Sequence, residues 1–140
     1  MNQVIIYTDG SCRTNPGPGG WSAVLISKDR TRRKELSGSV AHATNNEMEL
    51  RGAIEGLKAL KRPCLVQVRS DSRYLVDGGN GLTRQKANKA LWSELREARS
   101  KHRVIFVWLK GHNGHEENER CDELAKEAAL DAELEAEYPT

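Results

Sequence analysis

Val4-Ile5-Ile6-Tyr7-Thr8-Asp9-Gly10 is the stretch that decides the fold class of this 140-residue chain. Its β-branched and aromatic residues predict a strand over residues 3–9, and the Asp-Gly pair predicts the turn that ends it. Residues 64–70 form a second short apolar run, which stops at Asp71. Because strands alternate with helical patterns in the second half of the chain, we expect an α/β fold with a mixed sheet.

Outward from these two runs, hydrophobic spacing and turn residues predict five strands and four helices in the order βββαβααβα. The other strands are expected at residues 21–26, 32–39 and 103–109, and the helices at 45–61, 71–77, 88–100 and 116–133. Thr44 and Glu47 have the capping-box spacing at the start of the first helix. The prolines and glycines of residues 15–20 predict a segment without regular structure, and residues 133–140 are expected to form a flexible tail.

Length and composition favour a single domain over residues 1–140. The longest apolar runs are far shorter than the ~18 residues of a membrane span, and the N-terminus lacks a signal-peptide pattern, so we expect a cytoplasmic protein. Cys12, Cys64 and Cys121 are odd in number and far apart, which predicts free thiols in a reducing compartment. No heptad pattern or exposed apolar stripe indicates an oligomer, so we expect a monomer.

Charge is distributed unevenly along the chain. Residues 116–140 carry ten acids and two bases, which leaves 20 bases and 10 acids in residues 1–115. The first part therefore has a formal charge of +10 and the second a charge of −8. A basic body indicates a polyanionic partner such as a nucleic acid, although a solvated basic surface balanced by an acidic helix explains the same numbers.

Four acids are candidates for a shared site. Asp9 ends one predicted strand and Asp71 follows another, and ligands of open α/β sheets bind at the carboxyl ends of the strands. Glu49 and Asp122 lie next to the apolar faces of their helices, although spacing alone favours solvated helix acids. Turn formation and helix capping are the ordinary explanations of Asp9 and Asp71. If the four carboxylates converge, their repulsion calls for a hard divalent cation, and Mg²⁺ suits oxygen ligands.

His112 lies in a loop between Gly111 and Gly114, next to the acidic helix. An imidazole beside carboxylates can move protons or help a product leave, although a single histidine in a loop is more often simply exposed. Zinc binding by His112, His115 and Cys121 is not favoured, because no second cysteine lies nearby.

Five segments of the chain resemble bacterial ribonuclease H of type 1, in the same order and over nearly the whole length. They are YTDGSC (7–12), NPGPGGW (15–21), TNNEMEL (44–50), SDSRY (70–74) and KGHNGHEENERCDELA (110–125). The resemblance implies the ribonuclease H-like fold, a five-stranded mixed sheet with flanking helices. It also implies endonucleolytic hydrolysis of the RNA strand of RNA–DNA hybrids, leaving 5′-phosphate and 3′-hydroxyl ends.

The resemblance further implies a role for individual residues. Asp9, Glu49, Asp71 and Asp122 would bind two Mg²⁺ ions, with Mn²⁺ as an alternative, and His112 would assist turnover. The residues expected to contact the hybrid are Gly10, Ser11, Cys12, Asn15, Thr44, Asn45, Asn46 and Ser72. A hybrid-binding module without activity and a different nuclease, integrase or resolvase of similar fold are the alternatives.

Three features depart from the family pattern. Glu47 and Arg73 stand where many relatives have a basic residue and a glutamine, respectively. The segment formed by residues 78–90 is short, whereas many bacterial relatives have a longer basic helix and loop there. We therefore expect intact chemistry with an altered affinity for the hybrid.

Overall fold

The computed structural model describes residues 1–111 and 115–138. These residues form nine helices and strands in the predicted order βββαβααβα. The elements are β1 (Asn2–Cys12), β2 (Gly17–Ser27), β3 (Arg33–Ala43), α1 (Asn45–Lys58), β4 (Cys64–Ser70), α2 (Arg73–Gly79), α3 (Lys89–Arg99), β5 (Arg103–Trp108) and α4 (Glu116–Glu137). None of the helices in the described residues is long and apolar enough to cross a membrane.

The five strands form one mixed sheet in the order β3-β2-β1-β4-β5. β1, β2 and β3 pair in antiparallel fashion, whereas β1 pairs with β4, and β4 with β5, in parallel. Because β1 and β4 are parallel neighbours, their carboxyl ends lie at the same edge of the sheet, as the positions of Asp9 and Asp71 require.

Alternate residues of the central strands face two different helical layers. Ile6 of β1 is buried with Leu50 and Ile54 of α1 on one face of the sheet. Tyr7 is buried with Cys121 of α4 on the other face. This two-residue alternation is the reason that the sheet can hold a helix on each side.

Two glycines allow α1 to lie directly on the sheet. A Cβ atom on Gly10 would lie 2.5 Å from the backbone nitrogen of Glu49, and one on Gly52 would lie 2.7 Å from the carbonyl oxygen of Ser22. Such distances exclude any side chain at either position. The close approach places Glu49, at the start of the second turn of α1, against the last part of β1, which carries Asp9 and continues to Cys12.

The segment predicted to lack regular structure is partly a strand, because β2 begins at Gly17. Gly17 and Gly19 pair with β3 across a register shift, which accommodates a segment rich in proline and glycine. Gly20 is needed for a different reason. A Cβ atom there would lie 2.5 Å from the backbone nitrogen of Ala129, so the missing side chain lets α4 cross the strand.

The sequence predicts a flexible tail from about residue 133, but α4 continues to Glu137. Ala132 is buried, and Glu133 forms an ion pair with Arg13 at 3.3 Å. These contacts to the first part of the chain hold the last turns of the helix, and they cannot be read from the composition of the tail.

Candidate active site

A cavity of about 350 Å³ opens at the carboxyl ends of β1 and β4. All four candidate carboxylates lie in its wall, together with three polar residues, one glycine and two further residues of α4. The lining residues are Asp9, Gly10, Asn45, Asn46, Glu49, Asp71, Ser72, Asn118, Glu119 and Asp122. A larger open depression of about 1290 Å³ lies at the opposite end of the sheet, but the clustered acids make the smaller cavity the candidate site.

Three of the carboxylates form a tight group. Each of Asp9, Glu49 and Asp71 offers an oxygen atom, and these atoms all lie within 4.8 Å of one another. Asp9 is 6% exposed and Glu49 is 7% exposed. The expectation that Glu49 is a solvated helix acid is therefore wrong, because the close contact between α1 and β1 buries its side chain.

Burial makes ionisation of this group costly. It raises the pKa of Asp9 from 3.8 to about 7, a rise that the hydrogen bond with Glu49 opposes and the charge of Asp71 increases. Burial also raises the pKa of Glu49 well above its usual range, and the nearby charge of Asp9 adds to this effect. One oxygen of Glu49, Oε1, is buried without a hydrogen-bond partner in the described residues.

The oxygen-only donor set fits a hard divalent cation. A cation between the carboxylates would offset their repulsion and would give the unpartnered Glu49 oxygen a ligand role. Asp9, Glu49 and Asp71 are therefore the residues that could hold such an ion, and no other group of this kind occurs in the described residues.

Asp122 lines the same cavity but stands apart from the tight group. Its side chain is 38% exposed, and its Oδ2 atom accepts a hydrogen bond of 2.9 Å from Lys126, one helical turn further along α4. Its charge nevertheless contributes to the raised pKa of Asp9. Asp122 thus faces the cluster from the helix on the opposite side of the sheet.

Buried hydrogen bonds fix α4 over the sheet. The Ser22 hydroxyl donates to the carbonyl of Cys121 at 2.7 Å, and the Cys121 thiol donates to the carbonyl of Tyr7 at 3.2 Å. Because Cys121 is fully buried and its thiol is engaged with β1, a zinc site that includes it finds no support.

An ion-pair network on the surface holds the start of α4. Arg120 donates two hydrogen bonds to Glu35 of β3, and Arg33 donates two to Glu117. Arg33 also pairs with Glu35 at 2.8 Å, so the four side chains form one chain of contacts. These contacts set the position of the helical turns that carry the cavity residues of α4.

The residues expected to contact substrate divide into two groups. Gly10, Asn45, Asn46 and Ser72 line the cavity. The other four are Ser11, Cys12, Asn15 and Thr44, which lie outside its wall.

Contacts within the second group link the turn before β2 to the start of α1. The Asn15 side chain accepts a hydrogen bond of 3.0 Å from the backbone of Asn45, and the Cys12 thiol donates to the carbonyl of Ala43 at 3.3 Å. Thr44 and Glu47 complete the predicted capping box at the start of α1. Asn15, Cys12 and Thr44 therefore position the residues that form the cavity wall.

His112 lies outside the described residues, so its predicted role remains a prediction. The preceding residue does have a defined place. A Cβ atom on Gly111 would lie 3.5 Å from Oδ2 of Asp71, so the segment that leads to His112 begins beside the cluster.

Sequence reasoning missed two cavity residues, Asn118 and Glu119. Asn118 is four residues before Asp122, so both side chains project from the same face of α4. That spacing was the available signal in the sequence. Asn118 is only 6% exposed, and its Oδ1 atom is buried without a hydrogen-bond partner in the described residues.

Comparisons to known proteins agree with the fold. The family model for RNase H matches residues 1–130. The chain is 49% identical to ribonuclease H of Erythrobacter litoralis, over 92% of this chain and 97% of the relative. It is 50% identical to ribonuclease H of Hydrogenovibrio crunogenus, over 91% of this chain and 96% of the relative. The chain therefore belongs to the ribonuclease H family, and its class is that of an endoribonuclease.

Solved structures agree with this assignment. The N-terminal RNase H domain of a Mycobacterium tuberculosis protein is 29% identical and superposes with a TM-score of 0.87, covering 97% of this chain and 99% of that one. LC11-RNase H1, solved in complex with an RNA/DNA hybrid, is 28% identical with a TM-score of 0.76, covering 92% of this chain and 98% of that one.

Proposed function

We propose that this protein hydrolyses the RNA strand of RNA–DNA hybrids with the help of Mg²⁺ bound at the carboxylate cluster. The observation that carries the proposal is the group formed by Asp9, Glu49 and Asp71, whose oxygen atoms lie within 4.8 Å of one another. Two of these acids are buried and have raised pKa values, an arrangement that a bound cation stabilises. A structural neighbour of the same family was solved with an RNA/DNA hybrid, which supports the choice of substrate.

Asp9, Glu49, Asp71 and Asp122 are the residues that would hold two ions, and ions bound there would activate the attacking water and stabilise the leaving oxygen. Water then adds to phosphorus while the bond from phosphorus to the 3′-oxygen breaks. The hydroxyl group ends on the phosphate and the proton on the 3′-oxygen, so the products carry 5′-phosphate and 3′-hydroxyl ends. His112, close behind Gly111 in the chain, is proposed to help the product leave.

The polar wall of the cavity would select the RNA strand. Asn45, Asn46 and Ser72 offer amide and hydroxyl groups beside the carboxylates, and such groups can hydrogen-bond the 2′-hydroxyl that distinguishes RNA from DNA. No base-specific contact is needed for this selection. The charge of +10 in residues 1–115 would attract the phosphate backbone, so binding should weaken as salt rises.

Arg73 is proposed to contact the phosphate backbone of the hybrid at the edge of the cavity. Its guanidinium lies 4.2 Å from the centroid of the Trp108 ring, and the Trp108 indole donates a hydrogen bond of 3.2 Å to the carbonyl of Asp71. The Arg73 side chain is 65% exposed, so it can contact a phosphate without moving far from Trp108. This cation would partly replace those of the longer basic region that the chain lacks.

A substrate panel tests the proposed function. The protein is incubated with an RNA–DNA hybrid, an RNA duplex and a DNA duplex of one sequence, each with Mg²⁺ or with EDTA. We expect cleavage of the RNA strand of the hybrid and of no other substrate, and only with Mg²⁺. The products should carry a 5′-phosphate, so a ligase should rejoin them as long as that phosphate is intact. Cleavage of the DNA duplex, or equal cleavage in EDTA, would contradict the proposal.

A further inference from the structure

Asn118 is the neutral side chain that α4 contributes to the cavity wall, beside the acids Glu119 and Asp122 of the same helix. It lies in the first turn of α4, is 6% exposed and lines the cavity together with the four carboxylates. Glu119, the neighbouring residue in the wall, already adds a fifth acid. An amide at position 118 therefore supplies an oxygen atom without adding to the repulsion between the carboxylates.

The amide oxygen of Asn118 has no hydrogen-bond partner among the residues that the structure describes. Only three buried side-chain oxygens in the described residues have no hydrogen-bond partner, namely Thr8 Oγ1, Glu49 Oε1 and Asn118 Oδ1. Two of these belong to residues that line the same cavity. Buried polar atoms are nearly always hydrogen-bonded, so an unpartnered atom at a cavity wall indicates a partner that arrives with a ligand.

The position of Asn118 on α4 indicates where that partner lies. Asn118 and Asp122 are one helical turn apart and project from the same face of the helix. This face of α4 borders the cavity that contains the cluster, so the hydration shell of an ion held by the cluster would extend toward it. An amide carbonyl is a good acceptor for a water molecule polarised by a cation.

We propose that Asn118 is a positioning residue, whose side-chain oxygen accepts a hydrogen bond from water in the hydration shell of the ion that the carboxylates hold. This inference rests on the proposed function, because it assumes that the cluster binds a divalent cation. Asn118 would strengthen ion binding without itself being a ligand. Groups that orient metal ligands typically change metal affinity by ~10–100-fold.

Calorimetric titration of the protein with Mn²⁺, without nucleic acid, tests the inference. Asn118→Ala should weaken binding by about 10-fold, because the acceptor is lost. Asn118→Asp should bind at least as tightly as the parent, because it keeps an oxygen at the same place and adds a negative charge. Thr8→Val is the matched control, since it removes the one buried oxygen in residues 1–111 and 115–138 that has no partner and does not line the cavity. It should leave Mn²⁺ binding unchanged.

Urea unfolding of Asn118→Ala and Thr8→Val in EDTA measures the stability of each variant without metal, and so separates a role in ion binding from a structural role. If Asn118 acts on the ion, Asn118→Ala should lose much more Mn²⁺ affinity than Thr8→Val even when the two variants have equal stability without metal. Unchanged Mn²⁺ affinity in Asn118→Ala, or an equal loss in Thr8→Val, would overturn the inference. Neither result would affect hybrid cleavage by the parent, whereas a parent that binds no divalent ion would overturn the proposed function itself.

Discussion

Replacing Asp9 by asparagine should make the metal-free protein more stable at neutral and alkaline pH, although it removes a carboxylate from the candidate active site. Asp9 has a pKa raised from 3.8 to about 7, mainly by burial. A group whose pKa is raised on folding binds its proton more tightly in the folded protein, so stability falls as pH rises from about 4 to about 7. Asparagine cannot ionise and avoids this loss.

The size of the effect follows from the pKa values. A rise from 3.8 to about 7 corresponds to about 4 kcal/mol in the free energy of unfolding, fully developed above pH 7. Between pH 5 and pH 8, the advantage of Asp9→Asn over the parent should grow by about 2–3 kcal/mol.

Urea unfolding in EDTA at pH 5, 6, 7 and 8 measures this difference. Asp29→Asn is a matched control, because Asp29 is exposed in the turn after β2 and hydrogen bonds from Ser27 and Thr31 lower its pKa to about 2. Its difference from the parent should stay constant over this range. Mg²⁺ should then stabilise the parent but not Asp9→Asn. An Asp9→Asn advantage that does not change between pH 5 and pH 8 would refute the reasoning.

Three further predictions concern residues around the cavity and the base of β4. Arg73→Gln should raise KM for the hybrid and lower the slope of log KM against log salt by about 1. Steady-state cleavage at several salt concentrations measures this slope, and an unchanged slope would exclude a phosphate contact by Arg73. Glu47→Arg should lower KM at matched salt, because it restores the basic residue that many relatives have there, but should cost about 0.5–2 kcal/mol of stability through loss of the capping box. An unchanged KM would show that position 47 does not contact the phosphate backbone. Burial lowers the pKa of His102, whose ring accepts a hydrogen bond of 3.1 Å from the backbone of Cys64, so its contribution to stability should be present above pH 6.5 and be lost as pH falls below that value. Urea unfolding of the parent and of His102→Gln should show the parent losing more stability between pH 7 and pH 5, and equal losses would contradict this.

The fold could be predicted in outline because its signals are local. Apolar periodicity and the Thr44–Glu47 capping box lie within single elements, and they give the observed order of strands and helices. The start of β2 at Gly17 and the end of α4 at Glu137 depend instead on contacts with distant parts of the chain. Propensity carries no information on such contacts.

The candidate site follows the same division. Asp71 could be recognised from its place after a strand, and the resemblance pointed to Glu49 and Asp122. Asp9 was recognised from a predicted turn that is wrong, because β1 continues to Cys12 through its pairing with β2. Spacing alone made Glu49 a solvated acid, because its burial depends on the glycine contacts that bring α1 onto β1. Asn118 was missed because an asparagine in the first turn of a helix is usually explained by solvent exposure, and its burial appears only when α4 is placed on the sheet.

Single-turnover cleavage of a hybrid whose two strands carry different labels tests the central claim most directly. The parent and Asp71→Asn are compared with Mg²⁺, after circular dichroism has shown that both are folded. The parent should cleave only the RNA strand, and loss of a carboxylate of the cluster should slow cleavage by more than ~100-fold, since even groups that only orient metal ligands matter by ~10–100-fold. An Asp71→Asn protein that cleaves at the parental rate, or a parent that cleaves the DNA strand, would contradict the claim that this cluster hydrolyses RNA in hybrids.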